Sequence, residues 1–502
     1  MASPSYIAQS SSPVPTDQSQ LSNQIYHNAL RQLNRLRTNF ESRQETIGLE
    51  DRNLLLRQME EWCEEIGYKA SFFSNVLFHR PADFNVLNAI HIAGSKGKGS
   101  TAAFVFSILS EYLADEFDSE DNNSASLKKI GLYTSPHMRS VRERIRIRES
   151  QATDFTNTPL DENKFAHYLS EIWVRLGMDS RELSSSPPFA KFLTLMGLHA
   201  FMQEKVDAAV VEPSVCAITS LGLEHTDILG STLEGIAWAK AGIMKKGAPV
   251  FTAPQDPEAM AVLKTTAAYE GVDLHVVATH PDLESIELGL RGDFQRINAS
   301  LAVAVAAKHL CRMGFSGIAE TTTFMKSPLP EKFRRGLEKA QWPGRCETRH
   351  NHGIRWLLDG AHTIESIEVL GPWAVKNMVV QKQARRVLIF NQQTKDATAL
   401  LRHLWQVMTN AAPDIERVSM TYSGDSIQDL KVQHESAKFW AEISGGESAV
   451  TVMRTVEEAI RCAAHGYGDS NCGGKGGDEA VVLITGSLHL VGSALEFLDT
   501  FA

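Results

Sequence analysis

The sequence lacks the features that mark several classes of protein. Its six cysteines are scattered along 502 residues without a C-x-x-C pair, which argues against both a zinc ribbon and a disulfide framework. The longest apolar candidate, Ala480 to Leu495, is interrupted by glycine and polar residues, so no membrane-spanning helix is expected. Acidic residues outnumber basic ones and give a formal net charge of −10, which argues against nucleic-acid binding as the main function.

The beginning of the chain also lacks a targeting pattern. The first twenty residues contain no lysine or arginine and are rich in serine, proline and glutamine, unlike a signal peptide or an arginine-rich transit peptide. We interpret residues 1–24 as a disordered tail of a cytoplasmic protein, and a mitochondrial form made from a different start stays open. The remaining length exceeds one ordinary core, so we expect two domains, 25–330 and 331–502, divided near Ser327-Pro-Leu-Pro330.

The stretch Ile90 to Phe104 joins an apolar strand pattern to a loop rich in glycine and lysine and to the start of an apolar helix. Loop amides, the positive end of a helix dipole and a lysine together form a phosphate cradle. We therefore predict that Lys98 holds phosphate and that Ser100 or Thr101 helps to orient a magnesium ion. The match to G-x-x-x-x-G-K-[ST] is imperfect because Gly99 follows the lysine, and an ordinary glycine turn is the alternative.

Strand and helix patterns alternate along the chain. In the first domain, strands are predicted at 129–135, 206–212, 215–221 and 249–252, and helices at 189–203, 232–244 and 298–310. A half-exposed strand is predicted at 141–147, where apolar and charged residues alternate. The second domain has strand patterns at 354–358, 387–390, 418–421 and 481–485. The alternation predicts an α/β fold with a P-loop-type, doubly wound ATPase domain and a smaller Rossmann-like C-terminal domain.

Polar residues follow the predicted strands of the first domain at the edge where ligands collect in such sheets. Glu212 ends a buried strand and is the natural oxygen ligand for magnesium, although a carboxylate that simply meets solvent is the alternative. Ser135 and His225 fall at the same edge, and this common location makes the three a candidate metal site. Lys240 lies in an otherwise apolar helix, where a solvated lysine is the default interpretation.

Two residues of the second domain lie in tight glycine turns. Arg345 ends Trp-Pro-Gly-Arg, and Asp359 follows a strand in Leu-Leu-Asp-Gly-Ala-His. Both are placed to reach a cleft between the domains. The residues by themselves therefore predict a two-domain enzyme that uses ATP and magnesium.

Several ordered stretches together resemble the folylpolyglutamate synthase family of the Mur-ligase superfamily, from about Ile25 to Leu498. In chain order they are His91–Thr101, Thr134–His137 with Val141–Arg146, Ser220–Thr226, Ile236–Ile243, Trp342–Arg345, Asp359–Thr363, Phe390–Gln393 and Thr485–Leu490. The glycine after Lys98 is the family's own form of the phosphate loop. Matches in both predicted domains make the resemblance specific.

The resemblance implies a role for each matching residue. The ATP phosphates would be bound by Gly97, Lys98, Gly99 and Ser100. Magnesium would be held by Ser135, Glu212 and His225, and the nucleotide would also contact Asn298, Arg345 and Asp359. Lys240 matches a lysine that is carbamylated in the superfamily, and the candidate catalytic residues are Lys98, Lys240 and His362.

The implied activity is that of a ligase that forms a carbon–nitrogen bond. ATP would phosphorylate the terminal carboxylate of a folate's glutamate tail, and the amino group of free L-glutamate would attack the acyl phosphate. The implied cofactors are ATP and Mg²⁺, with a monovalent cation as a further candidate. The expected partners are a folate or related carboxylic acid and L-glutamate, without nucleic acid or membrane insertion, and the expected state is a monomer.

One departure from the family pattern lies beside the predicted metal ligand. The family usually carries a glycine-rich run after its metal-binding glutamate, whereas here Val211-Glu212 passes directly to Pro213-Ser-Val-Cys-Ala. This leaves three hypotheses: a glutamate-adding ligase for folates, a diverged ligase that joins an amino acid to another acid, and a non-catalytic nucleotide-binding relative. The predicted metal ligands on both sides are retained, which favours an ATP-dependent ligase.

Overall fold

The computed structural model describes residues 18–37, 52–69, 83–113, 126–150, 158–182, 185–210, 215–224, 226–318, 321–379, 384–393, 396–409, 417–421, 430–444, 450–465 and 480–500. The chain forms two compact units, Met1–Phe84 with Leu160–Glu204, and Asn85–Pro159 with Lys205–Ala502. The predicted Glu212 and His225 lie outside the described residues.

Helices are present at the predicted stretches 189–203, 232–244 and 298–310, and the helix Gln18–Asn34 includes Gln18 to Gln24 of the stretch predicted as a disordered tail. Within the described ranges their bounds are α1 Gln18–Asn34, α2 Arg52–Glu65, α3 Lys98–Ser110, α4 Glu162–Arg175, α5 Phe189–Gln203, α6 Thr226–Leu229, α7 Leu233–Ala241, α8 Pro257–Glu270, α9 Gln295–Arg312, α10 Thr321–Phe324, α11 Glu331–Lys339, α12 Ile364–Val379, α13 Ala397–Thr409, α14 Lys431–Ser444, α15 Val456–His465 and α16 Leu488–Thr500. In that part of the chain, no helix combines the length and apolarity needed to cross a membrane.

The strands form two sheets, both in the second unit. Their bounds are β1 Ile90–Ala93, β2 Lys129–Tyr133, β3 Ile145–Glu149, β4 Ala208–Val210, β5 Val215–Ile218, β6 Val250–Thr252, β7 Leu274–Val276, β8 Glu347–Asn351, β9 Ile354–Leu358, β10 Arg385–Phe390, β11 Arg417–Thr421, β12 Val450–Met453 and β13 Ala480–Thr485. The first sheet has the order β3-β2-β4-β1-β5-β6-β7, and the second has β12-β11-β10-β13-β9-β8. All pairings are parallel except β2 with β3 and β8 with β9.

Helices cover both faces of each sheet, so the predicted α/β class is confirmed. In β5, Val215 and Ala217 pack into a core with α3 and α9, whereas Cys216 and Ile218 pack into a core with α7 and α8. Alternate residues of β10 divide in the same way between a core with α12 to α14 and a core with α15 and α16. This alternation follows from the two-residue period of a strand.

The structure corrects the predicted strand at 141–147. Val141–Arg144 is a 3₁₀ helix that begins with a capping box between Ser140 and Glu143, and the strand starts only at Ile145. Arg144 and Arg146 are buried, with 6% and 5% of their surface exposed. The alternation of charged and apolar residues therefore does not mark a solvent-facing side. Strand β8 went unpredicted because its Glu-Thr-Arg-His-Asn sequence contains no apolar residue.

The first unit consists of helices in the described residues, with α1 against α4, and α5 against both α2 and α4. A polar network lies among them. The fully buried His199 contacts Glu171 at 3.0 Å through Nε2 and the Tyr68 hydroxyl at 2.8 Å through Nδ1. Burial holds the pKa of His199 below its ordinary value despite the neighbouring Glu171, because a buried imidazolium loses its hydration.

Candidate nucleotide site

The phosphate loop lies between β1 and α3, and two of its glycines have no room for a side chain. Gly94 has φ of +136°, and a Cβ there would lie 2.0 Å from the Thr219 hydroxyl oxygen. Gly97 has φ of +89°, and a Cβ there would lie 2.2 Å from Asn298 Oδ1. Positive φ and close approach both require glycine. The glycine pattern of the sequence therefore reflects the shape of this loop.

The first turn of α3 presents unoccupied amide groups. Gly97 occupies the N-cap position and, as a glycine, has no side chain to cap the helix. Because an α-helix leaves the amides of its first turn without intrahelical acceptors, the N–H groups of Lys98, Gly99 and Ser100 are available to an anion. The helix dipole adds partial positive charge at the same place. This end of the helix can therefore hold a phosphate group.

Lys98 brings a full charge to this turn. Its ammonium group donates to the carbonyl oxygens of Gly94 and, at 2.9 Å, of Ser95. Burial lowers the pKa of Lys98 to about 8, while the carboxylate of Glu224, 3.7 Å away, opposes that shift. With a pKa of about 8, Lys98 is mostly, but not completely, protonated at neutral pH.

Glu224 links Lys98 to the second predicted lysine. Its Oε1 atom lies 2.8 Å from the ammonium nitrogen of Lys240, whose side chain is only 19% exposed. Lys240 is therefore not the solvated helix lysine of the default interpretation. Glu224 was not among the predicted site residues, although it stands directly before His225 in the matching stretch Ser220–Thr226.

Asn298 lies beneath the loop, within a short hydrogen-bond chain. Its amide donates to Gln295 Oε1 at 2.9 Å, and Gln295 Nε2 donates to the Ser100 hydroxyl at 3.2 Å. Gln295 is fully buried and begins α9 three residues before Asn298; it was not among the predicted site residues. The Thr101 hydroxyl is buried and has no hydrogen-bond partner among the described residues.

Ser135 is held by an arginine. Arg144 donates from Nη1 to the Ser135 hydroxyl at 3.0 Å and from Nε to His137 Nδ1 at 2.9 Å. The other two predicted metal ligands are not described, and the described residues contain no group of three His, Cys, Asp or Glu side chains that could hold a metal ion. The predicted metal set of Ser135, Glu212 and His225 therefore stays a prediction.

The second sheet brings Arg345, Asp359 and His362 together at the ends of its strands. Asp359 accepts from the Cys346 amide at 2.8 Å and from the Ala361 amide at 2.9 Å. Burial raises the pKa of Asp359, against the effect of Arg345. His362 donates from Nδ1 to the Gly360 carbonyl at 2.8 Å. Asp359 thereby holds two turns in shape.

Two contacts join the phosphate loop to the part of the chain that follows α11. The Lys96 ammonium donates to the Thr363 hydroxyl at 2.9 Å, and the Trp342 indole packs on Gly99. The Arg146 guanidinium lies 5.4 Å from the centre of the Trp342 ring. Residues of the phosphate loop and residues 342 and 363, which the sequence assigns to different predicted domains, are therefore in contact.

The chain is similar to known proteins over most of its length. Residues 344–497 match the family described as dihydrofolate synthetase, C-terminal domain. The chain is 36% identical to a folylpolyglutamate synthase of Saccharomyces cerevisiae strain S288c, over 94% of this chain and 87% of the relative.

Solved structures of such enzymes share the fold. The folylpolyglutamate synthase from Thermotoga maritima has a TM-score of 0.65 and 23% identity, covering 96% of this chain and 98% of the other. The Mycobacterium tuberculosis folylpolyglutamate synthase complexed with ADP has a TM-score of 0.68 and 20% identity, covering 95% and 98%.

Proposed function

Because the chain belongs to the folylpolyglutamate synthase family, we propose that it is an ATP-dependent ligase that adds L-glutamate to the γ-carboxylate of a folate's glutamate tail. The family that the sequence motifs predict is confirmed by this similarity. It extends over nearly the whole chain, which favours the ligase over a non-catalytic relative and over a ligase for unrelated acids.

The observation that carries the proposal is the uncapped first turn of α3 with Lys98 above it. A nucleotide triphosphate needs amide donors and positive charge at its phosphates. Lys98 supplies the cation: its hydrogen-bond acceptors are neutral carbonyls that a phosphate oxygen would outcompete, and the Glu224 carboxylate 3.7 Å away is shared with Lys240. ADP in the Mycobacterium tuberculosis relative is consistent with a nucleotide at this loop.

The chemistry follows from the weakness of a carboxylate as an electrophile. Transfer of the γ-phosphoryl group to the folate carboxylate gives an acyl phosphate, whose phosphate then leaves when the glutamate amine attacks. Charge develops on the transferred phosphoryl oxygens, and Lys98 with the α3 amides is placed to neutralise it. Asn298 and Arg345 would contact the nucleotide, and Asp359 would act through the turns that it holds. Lys240 and His362 are retained as candidate catalytic residues.

Magnesium is part of the proposal, and the described residues fit it only partly. The hydroxyls of Ser100, Thr101 and Ser135 are the hard oxygen donors that magnesium prefers. However, Ser135 faces the Arg144 guanidinium, so a carboxylate must supply the negative charge, and Glu212 is the residue that the sequence predicts for it. When bound, the ion would neutralise the charge of the ATP phosphates.

Product analysis of the purified full-length chain tests the proposal. The protein is incubated with ATP, magnesium, tetrahydrofolate monoglutamate and L-glutamate, and ADP and the folate product are measured by mass spectrometry. We expect ADP release that requires both the folate and the glutamate, and a product extended by one glutamate. Substituting Lys98→Ala should lower the rate by about 100- to 1,000-fold, the usual cost of removing one preorganised donor to the charge that develops in a transition state.

Lys264→Ala is the matched control, since Lys264 is exposed on α8, and it should leave the rate unchanged. ATP consumption that needs neither folate nor glutamate would contradict the proposal, as would ADP binding without any extended product. ADP release with another carboxylic acid, but not with tetrahydrofolate, would show that the substrate is wrong while the ligase chemistry is right.

A further inference from the structure

Trp342 lies in the segment between α11 and β8, and its indole covers the first turn of α3. A Cβ atom at Gly99 would lie 3.0 Å from the indole Nε1 and 3.5 Å from Cε2. The indole therefore occupies the space that a side chain at residue 99 would need. This contact gives a physical reason for the glycine that separates Lys98 from Ser100.

The indole is supported from strand β3. The guanidinium of Arg146 lies 5.4 Å from the ring centre of Trp342, within the range of a cation–π contact. Arg146 is itself 95% buried, with 5% of its surface exposed. A buried cation beside the ring limits where the indole can move, so Trp342 is held on Gly99.

The same stretch of chain also contacts the far end of α3. In α11, a Cβ at Gly336 would lie 2.6 Å from the Ile108 Cα atom, and the Ser107 hydroxyl donates to the Gly336 carbonyl at 2.6 Å. Residues 336 and 342 therefore contact α3 near its two ends. The helix that begins at the phosphate loop is fixed along its length to the segment that leads into the second sheet.

A hydrogen-bonded turn connects Trp342 with Arg345. The Gly344 amide donates to Glu347 Oε2 at 2.7 Å, and the Gly360 amide donates to the Gly344 carbonyl at 3.1 Å. Arg345 follows directly and donates from Nη1 to the same carbonyl at 3.3 Å. Because only Pro343 separates Trp342 from Gly344, a shift of the indole would be passed along the chain to the turn that carries Arg345.

We propose that Trp342 is a positioning residue for the nucleotide. Packed on Gly99, it keeps the phosphate-binding turn of α3 and the turn of Arg345 in one arrangement without contacting the reacting atoms. The inference rests on the proposed function, because it requires that ATP binds at α3. It adds a specific residue pair, Gly99 and Trp342, on which nucleotide affinity depends.

A double-mutant cycle tests this pairing. The affinity of the full chain for ADP is measured by calorimetry for wild type, Gly99→Ala, Trp342→Leu and the double variant. Each single substitution should weaken ADP binding by about tenfold, whereas Gly99→Ala should have less than about a threefold effect once the indole is gone, because contacting residues are non-additive. Steady-state rates should show a raised KM for ATP with a smaller change in kcat.

Two further variants test whether a loss of ADP affinity reflects only a general loss of stability. Trp342→Phe keeps an aromatic ring over Gly99 and should retain ADP affinity within about threefold of wild type. Trp405→Leu removes another partly buried tryptophan, which packs edge to face on Trp440, and should leave ADP affinity unchanged. If Trp342→Leu does not fold, the cycle of Gly99→Ala with Trp342→Phe takes its place. Phenylalanine lacks the indole Nε1 atom that an alanine Cβ would meet at 3.0 Å, so it should relieve part of the alanine defect.

The outcomes separate this inference from the proposed function. If wild type binds ADP and Trp342→Leu binds it equally tightly, the inference is wrong and the proposed function stands. Strictly additive effects of the two substitutions would also overturn the inference. If wild type binds no ADP, both are wrong.

Discussion

The two parallel sheets of this chain end in different kinds of polar edge. Beyond β1 of the first sheet, α3 begins at a glycine N-cap without a capping side chain, and Lys98 contacts two carbonyl oxygens and lies 3.7 Å from the Glu224 carboxylate. Beyond the strands of the second sheet, polar groups are bonded to one another: Asp359 accepts from two amides, and Gln392 donates to the Gly486 carbonyl at 2.9 Å. At the first edge, the amides of the first helical turn remain available to a ligand. At the second edge, the donors form hydrogen bonds with acceptors of the same edge.

The two edges of this α/β fold therefore serve different purposes: the first can bind a ligand, and the second supports turns. A glycine N-cap costs the free protein roughly a few tenths of a kcal/mol relative to a capping side chain such as serine. That cost is tolerated where an anion can take the place of the cap. At the second edge the polar groups already have hydrogen-bond partners. These bonds can hold turns such as those of Arg345 and His362. Substitutions at the two edges should therefore affect different properties, binding at one and stability at the other.

The largest effect is expected for Gly97→Ala at the first edge. The new methyl group would clash with Asn298 Oδ1, and φ of +89° is unfavourable for alanine. Such strain costs about 1–3 kcal/mol, and relieving it would displace the phosphate-binding amides, so ADP affinity should fall by about 100-fold in calorimetry. Gly353→Ala is the control, since Gly353 also has positive φ, at +73°, but open space around it. An unchanged ADP affinity in Gly97→Ala would refute the ligand role of this edge.

Asp359→Asn tests the second edge. An asparagine offers one acceptor oxygen where the aspartate provides two, so either the Cys346 or the Ala361 amide would lose its partner. Leaving a buried amide without an acceptor costs about 1–3 kcal/mol, and the free energy of unfolding measured in urea should fall by about 2 kcal/mol. ADP affinity should change less than stability does. A large loss of affinity with unchanged stability would identify Asp359 as a direct ligand contact instead.

Raising the pH should weaken nucleotide binding at the first edge. The pKa of Lys98 is lowered to about 8 in the free protein, and bound phosphate favours the charged form. Affinity should thus be highest below pH 8 and fall above it, by up to about tenfold per pH unit. Calorimetric titrations with ADP between about pH 7.5 and 9.5 would reveal this. Lys98→Arg should show no such decline, because a guanidinium stays charged; an identical decline in that variant would assign the effect to another group.

The smallest effect concerns the contact between the two edges. Thr363→Val keeps the shape of the side chain but removes the hydroxyl that accepts from Lys96 at 2.9 Å. One hydrogen bond contributes about 0.5–1.5 kcal/mol, so KM for ATP should rise by about three- to fivefold. The same hydroxyl accepts from the Ser366 amide at 3.3 Å at the start of α12, so the free energy of unfolding should also fall, by about 1 kcal/mol. Thr265→Val, at an exposed position of α8, is the matched control. Equal KM values in the two variants would mean that the edges work independently.

Much of the fold was predictable because its signals are local. Helix 189–203 and strand 354–358 have in the structure the bounds that their apolar patterns predict. The apolar run, glycines and lysine of the phosphate loop lie within fifteen residues of sequence, so their geometry is set by neighbours along the chain. Two predictions failed because tertiary structure overrides the local pattern. Arg144 and Arg146 are buried although alternation predicts exposure, and β8 is a strand only because it pairs with β9.

The sequence by itself determined the α/β class, the place of the phosphate loop and the residue types at it, because periodicity and glycine requirements depend on the local backbone. Only the tertiary structure placed Glu224 between Lys98 and Lys240, Gln295 beneath Ser100, and Trp342 on Gly99. These pairs lie far apart in sequence, and no local pattern records which of many polar or aromatic residues will meet. Packing of the sheets and helices decides it, since each close contact must fit the space left by all the others.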